Sequence, residues 1–161
     1  MKQTKAKLTR ALARDEFFMQ EALKQAHLAL KKDEVPVGAV MVCGEKIIAR
    51  AFNLRQSKRQ ATFHAEILLI EKTCKKLKDF RLNDCEMFVT LEPCVMCLGA
   101  ALNARIKRLV FGASINKEGA IKSQEIAERA MLNSNISVVG GVLADECSKL
   151  VSDYFLDKRK V

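Results

Sequence analysis

Met87-Phe88-Val89-Thr90-Leu91-Glu92-Pro93-Cys94-Val95-Met96-Cys97 changes character partway along. Its first five residues are apolar or β-branched, the composition of a strand. Pro93 then suits the first turn of a helix, where its missing N–H is no loss and its fixed φ is already helical. The helix continues through Cys94, Cys97 and Ala101 to about residue 104. A strand feeding directly into a helix predicts an α/β layer architecture. Two cysteines three apart share one helix face, and the positive helix end favours their thiolates.

The segments outward from this junction repeat the pattern. His64-Ala65-Glu66 opens another helix, with Ala65, Leu68, Leu69, Thr73 and Leu77 at helical spacing. Before it, the β-rich runs 35–43 and 46–52 flank Gly44-Glu45 and read as a hairpin, and residues 53–62 form a polar loop. Met19, Ala22, Leu23, Ala26 and Leu30 mark a first helix over residues 14–32, with Asp15 and Glu16 at its start. Beyond Pro93 the chain predicts a strand over 105–111, a loop over 112–122, a short helix over 123–131 and a last strand over 136–139. Leu143, Cys147, Leu150, Val151 and Tyr154 give the stripe of a final helix, with Asp145 and Glu146 near its positive end. The expected fold is a three-layer α/β/α sandwich around a mixed five-stranded sheet. Residues 1–13 are expected to be a mobile basic extension and residues 14–161 a single domain.

A chain of 161 residues, 49% of them apolar, suits one core. No run of about 18 apolar residues is present, which excludes a membrane-spanning helix. Residues 1–14 are basic without the apolar segment and cleavage site of a secretory signal, so a cytoplasmic location is expected. The formal charge of +9 is spread along the chain and suits a phosphate-bearing partner. Of the six cysteines, Cys43, Cys74, Cys85 and Cys147 lie singly and are read as small core residues rather than disulfide partners.

His64, Cys94 and Cys97 supply an imidazole and two sulfurs, one ligand short of a tetrahedral zinc site. An open position is what separates a catalytic zinc from a structural one, and it lets the ion lower the pKa of a water to about 7. Glu66, two residues from His64, points away from the ligand direction and is placed to act as general base and acid. The competing readings are a structural zinc knuckle with a recruited fourth ligand, or two core cysteines beside a surface histidine. His27 is the only other histidine, on the first helix, and no second C-x-x-C exists. A C-x-x-C alone is weak; joined to H-x-E and a strand before Pro93 it is much more specific.

At these residues the chain resembles the cytidine and deoxycytidylate deaminase superfamily, whose signature is H-x-E with P-C-x-x-C. Within it the chain looks like the bacterial tRNA-specific adenosine deaminases, from about residue 16 to 159. The stretches that carry this are Val35-Pro-Val-Gly-Ala-Val, Val89-Thr-Leu-Glu-Pro-Cys-Val-Met-Cys, Val110-Phe-Gly-Ala, Gly141-Val-Leu-Ala-Asp-Glu-Cys and Ser152-Asp-Tyr-Phe. The resemblance implies a cytidine deaminase-like fold, one Zn2+ per subunit and hydrolysis of the wobble adenosine of a tRNA anticodon loop to inosine by a homodimer. It implies attack of an activated water on adenine C6, with Glu66 protonating N1 and passing a proton to the departing ammonia. It also places Asn53 against the bound nucleoside, although a strand-ending turn residue would look the same in sequence.

Arg55, Lys58 and Arg59 precede His64 and either meet phosphates at the site mouth or belong to a solvated loop. Lys158, Arg159 and Lys160 follow the last helical stripe, where they equally complement its negative end. Tyr154 and Phe155 are candidates for a stacking surface, one of them being expected in the core. Two departures stand out: Ala61-Thr62-Phe63 replaces the family's usual Pro-Thr-Ala, and Ile115 stands where an acid is common, so that Asn116 is the candidate for the missing polar contact. The alternative functions are a free nucleobase or nucleoside deaminase of guanine or cytosine type, and a non-catalytic zinc module that binds RNA. The latter has no need of Glu66.

Overall fold

The computed structural model describes residues 2–114 and 135–160. The elements are α1 (Lys2–Leu30), β1 (Gly38–Cys43), β2 (Lys46–Phe52), α2 (Ala65–Leu77), β3 (Cys85–Leu91), α3 (Val95–Asn103), β4 (Arg108–Ala113), β5 (Ser137–Gly140) and α4 (Ala144–Arg159). The strands form one sheet in the order β2-β1-β3-β4-β5. β1 runs antiparallel to both β2 and β3, whereas β3, β4 and β5 are mutually parallel in sequence of pairing, so the sheet is mixed as expected. The short helix expected over 123–131, together with Ile115 and Asn116, lies outside the described residues.

Alternation along the strands builds the layers. Ala39 and Met41 of β1, with Met87 and Val89 of β3, face Leu68 and Leu69 of α2 and Leu98 and Ala101 of α3. Val40 and Val42, with Phe88 of β3 and Val110 of β4, face Phe18, Met19, Ala22 and Leu23 of α1 and Cys147 of α4. Helices therefore cover both faces, and strands buried on both sides read as continuous apolar runs. Gly38 lets α1 lie directly on β1: a Cβ there would run into the backbone at Ala22 and Ala26.

Two expectations are corrected. The first helix begins at Lys2 rather than at residue 14, since Lys, Ala, Leu and Arg are good helix formers and no Gly or Pro interrupts them. Asp15 is consequently not a helix-start residue. Its buried carboxylate accepts both Nη1 (2.8 Å) and Nη2 (2.5 Å) of Arg108, which also donates to Glu86 (3.0 Å). The second correction concerns Cys43 and Cys85, which are joined by a disulfide. They face each other across β1 and β3 with Cα atoms 4.5 Å apart, a register that spacing along the chain does not reveal. Cys147 is buried and Cys74 half-buried, both free, in keeping with their reading as core residues.

Candidate metal centre and active site

α2 and α3 start at the same end of the sheet, and the residue just before each helix provides a ligand. His64 caps α2 and Cys94 caps α3, both with extended backbone, and their carbonyls accept the first helical bonds from Leu68 (3.1 Å) and Leu98 (2.9 Å). Cys97 follows one turn into α3, buried. His64 Nδ1 lies 3.7 Å from Cys94 Sγ and 3.6 Å from Cys97 Sγ, and the three donor atoms all fall within 4.8 Å of one another. Tetrahedral zinc with bonds to sulfur and nitrogen of the usual lengths separates its ligands by about 3.5 Å. The spacing and the soft donor set both fit zinc. Among the described residues no fourth His, Cys, Asp or Glu completes the group.

The two sulfurs of the triad are driven apart electrostatically, Cys94 toward the thiolate and Cys97 toward the thiol. The Cys94 thiol is pulled down to about 4, first by the hydrogen bond from the Cys97 thiol and further by His64 and the Cys97 backbone N–H, against the cost of burial. Cys97 moves the opposite way because its proton is shared with Cys94 and it is buried beside Glu66. One sulfur thus carries charge while the other keeps the proton. The His64 imidazole is raised by Cys94, an effect opposed by burial and by the nearby Arg55 charge. Glu66, in the first turn of α2 and only 4% exposed, is pushed up to about 7, chiefly by burial.

Arg55, Lys58 and Arg59 lie exposed on the loop that leads to His64, with Arg59 in the left-handed region at φ 51°. Tyr154 is buried: its hydroxyl donates to the Asp33 carbonyl (3.2 Å) and accepts from Gln56 Nε2 (3.4 Å). Phe155 is the ring of that pair that reaches solvent. Lys158 pairs with Asp33 at 2.6 Å, whereas Arg159 and Lys160 are exposed at the end of α4. Asn53 is buried where β2 ends, its backbone N–H bonded to the Val37 carbonyl (3.0 Å), and Leu54 N–H reaches Phe63, the residue before His64 (3.0 Å).

The residues 13–156 match the model of the MafB19-like deaminases. The chain belongs to this deaminase family. It is 42% identical over 150 residues to the tRNA-specific adenosine deaminase of Bacillus subtilis (strain 168), covering 92% of this chain and 93% of that protein. Against the enzyme of the same name from Haemophilus influenzae the identity is 43% over 148 residues, covering 91% and 86%. Among solved structures, one from work on A-to-I editing by tRNA:A34 deaminases at the wobble position of transfer RNA superposes with a TM-score of 0.78 at 37% identity, covering 83% of this chain and 98% of that one. The guanine deaminase from Nitrosomonas europaea gives a TM-score of 0.78 at 25% identity, covering 86% and 83%.

Glu34 is a buried acid of the deaminase to which the sequence assigned no role. α1 ends with Asp33 in the left-handed conformation (φ 58°), its N–H on the Leu30 carbonyl (3.0 Å) and the Glu34 N–H on the Ala29 carbonyl (3.1 Å). This Schellman-type ending turns Glu34 inward, where it is 0% exposed. Its carboxylate accepts from Ser57 N (2.7 Å), Gln56 N (3.0 Å) and Asn53 Nδ2 (3.3 Å). The available signal was an acid placed directly before the apolar run 35–43.

Proposed function

We propose that this deaminase hydrolyses the wobble adenosine of a tRNA anticodon loop to inosine, as a cytoplasmic homodimer with one Zn2+ per subunit held by His64, Cys94 and Cys97. The observation that carries the reading is the half-built tetrahedron of His64, Cys94 and Cys97 with a buried carboxylate, Glu66, two residues from the histidine ligand. The tRNA-specific adenosine deaminases named above and the structural neighbour from work on tRNA:A34 deaminases supply the substrate class.

Zinc, when bound, supplies a Lewis acid that makes water a nucleophile near neutral pH. Glu66 takes the proton from that water and hands it to adenine N1, which prepares C6 for attack. It then carries the second proton to the N6 amine as the C–N bond breaks, so that ammonia leaves and inosine remains. Asn53 holds the nucleoside, and burial of the site excludes bulk water from the departing amine. An anticodon loop offers a base already free of a duplex, which lowers the cost of placing it in such a pocket. Arg55, Lys58 and Arg59, exposed beside His64, are placed to meet loop phosphates. Phe155, Lys158, Arg159 and Asn116 are further candidates for RNA contact.

Val95 and Met96 support the dimer: they are 43% and 37% exposed although they sit between the two cysteine ligands, an apolar surface that a second subunit would cover. The deciding experiment incubates the protein with an anticodon stem-loop transcript, with free adenosine and with free guanine, each with and without chelator. Inosine in the transcript, lost on chelation and restored by zinc, is expected. Turnover of the free compounds alone would move the assignment to a nucleobase deaminase.

A further inference from the structure

Residues 53–62 run from the end of β2 to the ligand His64 and carry Arg55, Lys58 and Arg59. The loop is closed on itself: Leu54 N–H reaches the Phe63 carbonyl (3.0 Å), Lys58 N–H that of Leu54 (3.1 Å) and Gln60 N–H that of Arg55 (3.1 Å). Two outside groups grip it at Gln56. The Glu34 carboxylate takes the Gln56 N–H (3.0 Å) and its neighbour Ser57 N–H (2.7 Å), and the Tyr154 hydroxyl, from α4, takes Gln56 Nε2 (3.4 Å). Tyr154 donates its one proton to the Asp33 carbonyl (3.2 Å), which can only accept. The hydroxyl oxygen is then left as an acceptor, which fixes the Gln56 amide with its nitrogen rather than its oxygen facing Tyr154. One helical turn on, Lys158 pairs with the Asp33 carboxylate (2.6 Å), so α4 holds the turn after α1 at two points.

We infer that Tyr154 is a positioning residue: its hydroxyl bridges the turn at Asp33 to Gln56 and so sets where residues 55–59 present Arg55, Lys58 and Arg59 to RNA phosphates beside the metal centre. That these cations meet phosphates rests on the proposed activity toward tRNA; the bridge itself does not. The ring of Tyr154 is buried and packs edge-on against Phe155, with centroids 5.4 Å apart, which leaves the hydroxyl little freedom. A loop bonded mainly to itself can shift as a unit, and its exposed cations would then be spread over arrangements of which only some match a phosphate backbone. Holding the loop at Gln56 removes that ordering cost before RNA arrives. A phenylalanine at this position would keep the ring packing and make neither bond.

The test uses zinc-loaded wild type, Tyr154→Phe, Gln56→Ala and the double variant. On an anticodon stem-loop at low salt, each single variant should raise KM about three- to tenfold, the scale of one hydrogen bond, while kcat moves by less than about twofold. The double variant should be no worse than the poorer single one, since both changes break the same bridge. Raising the salt should shrink the ratio of variant to wild-type KM toward unity, because the bridge acts by placing cations and salt screens them. A merely weakened fold would keep its defect. Without RNA, trypsin should cut after Arg55, Lys58 or Arg59 several-fold faster in both variants at unchanged zinc content, with the cut sites read by mass spectrometry. Wild-type KM in both single variants, additive losses in the double variant, a KM defect independent of salt, or cleavage at the wild-type rate would overturn the inference. If wild type leaves the stem-loop unreacted, the RNA assignment falls instead, and the trypsin rates still decide the bridge.

Discussion

At the scale of the residue, removing the Glu66 carboxylate and removing the Cys94 sulfur interrupt different things. Glu66 is buried in the first turn of α2, makes no contribution to the three-atom ligand set and is raised to about 7 by its surroundings. Glu66→Ala should therefore keep stoichiometric zinc by elemental analysis while turnover on a stem-loop falls by at least about 10²–10⁴, the usual share of a positioned acid–base group. Residual activity near the wild-type level would remove it from the proton path. Cys94→Ala takes away one of the three candidate ligand atoms, so bound zinc should fall to trace amounts, with activity following it; full metal content in that variant would move the ligand set elsewhere. These four residues were legible because ligand spacing is local: a histidine and a cysteine each stand just before a helix, and the second sulfur and the acid follow within a turn. Glu34 was not legible, because its role is created by the left-handed turn at Asp33 and by a loop that comes back to it about twenty residues later.

Among the elements, the strands were readable from composition and their layering from alternation, since β1 places Ala39 and Met41 on one face and Val40 and Val42 on the other. What could not be read was register. Cys43 and Cys85 are unremarkable at a separation of 42 residues, and only the pairing of β1 with β3 brings them face to face. The start of α1 was missed for a different reason: the helical propensity of residues 2–13 has no apolar stripe to announce it, and those residues whose exposure is described lie open to solvent. The disulfide has a direct count. Denatured, unreduced and zinc-free protein should titrate four thiols, those of Cys74, Cys94, Cys97 and Cys147. Cys43→Ser should raise the count to five by freeing Cys85, and on a chain-entropy basis should cost about 4 kcal/mol of stability for a loop of this size, measured by denaturant unfolding. Six titratable thiols in the native sequence would mean that the strands hold two separate cysteines.

For the molecule as a whole, the relevant quantity is where the excess of 28 Lys and Arg over 19 Asp and Glu can act. Part of the charge is already committed: Arg14 and Arg108 are tied to Glu86, with Arg108 also on Asp15, Arg50 and Lys24 to Glu21, and Lys158 to Asp33. Arg55, Lys58 and Arg59 take part in none of these described pairs, and they lie on the loop that runs into the ligand His64. A polyanion seated there would release a counterion for each phosphate these residues neutralise, so log KM for a stem-loop should rise linearly with log salt concentration. Single-stranded contacts contribute a slope of roughly 0.7 each. Arg55→Ala, Lys58→Ala and Arg59→Ala should each lower the slope by about that amount while leaving kcat unchanged, because the ligand set and Glu66 are untouched. Cooperation with the end of α4 can be read in the same way, since Arg159→Ala changes the slope only if that end reaches the RNA. A KM that stays flat between 50 and 200 mM salt, within the interval where such contacts should cost several-fold in affinity, would place the substrate's phosphates away from this loop and leave the charge as a solvated surface.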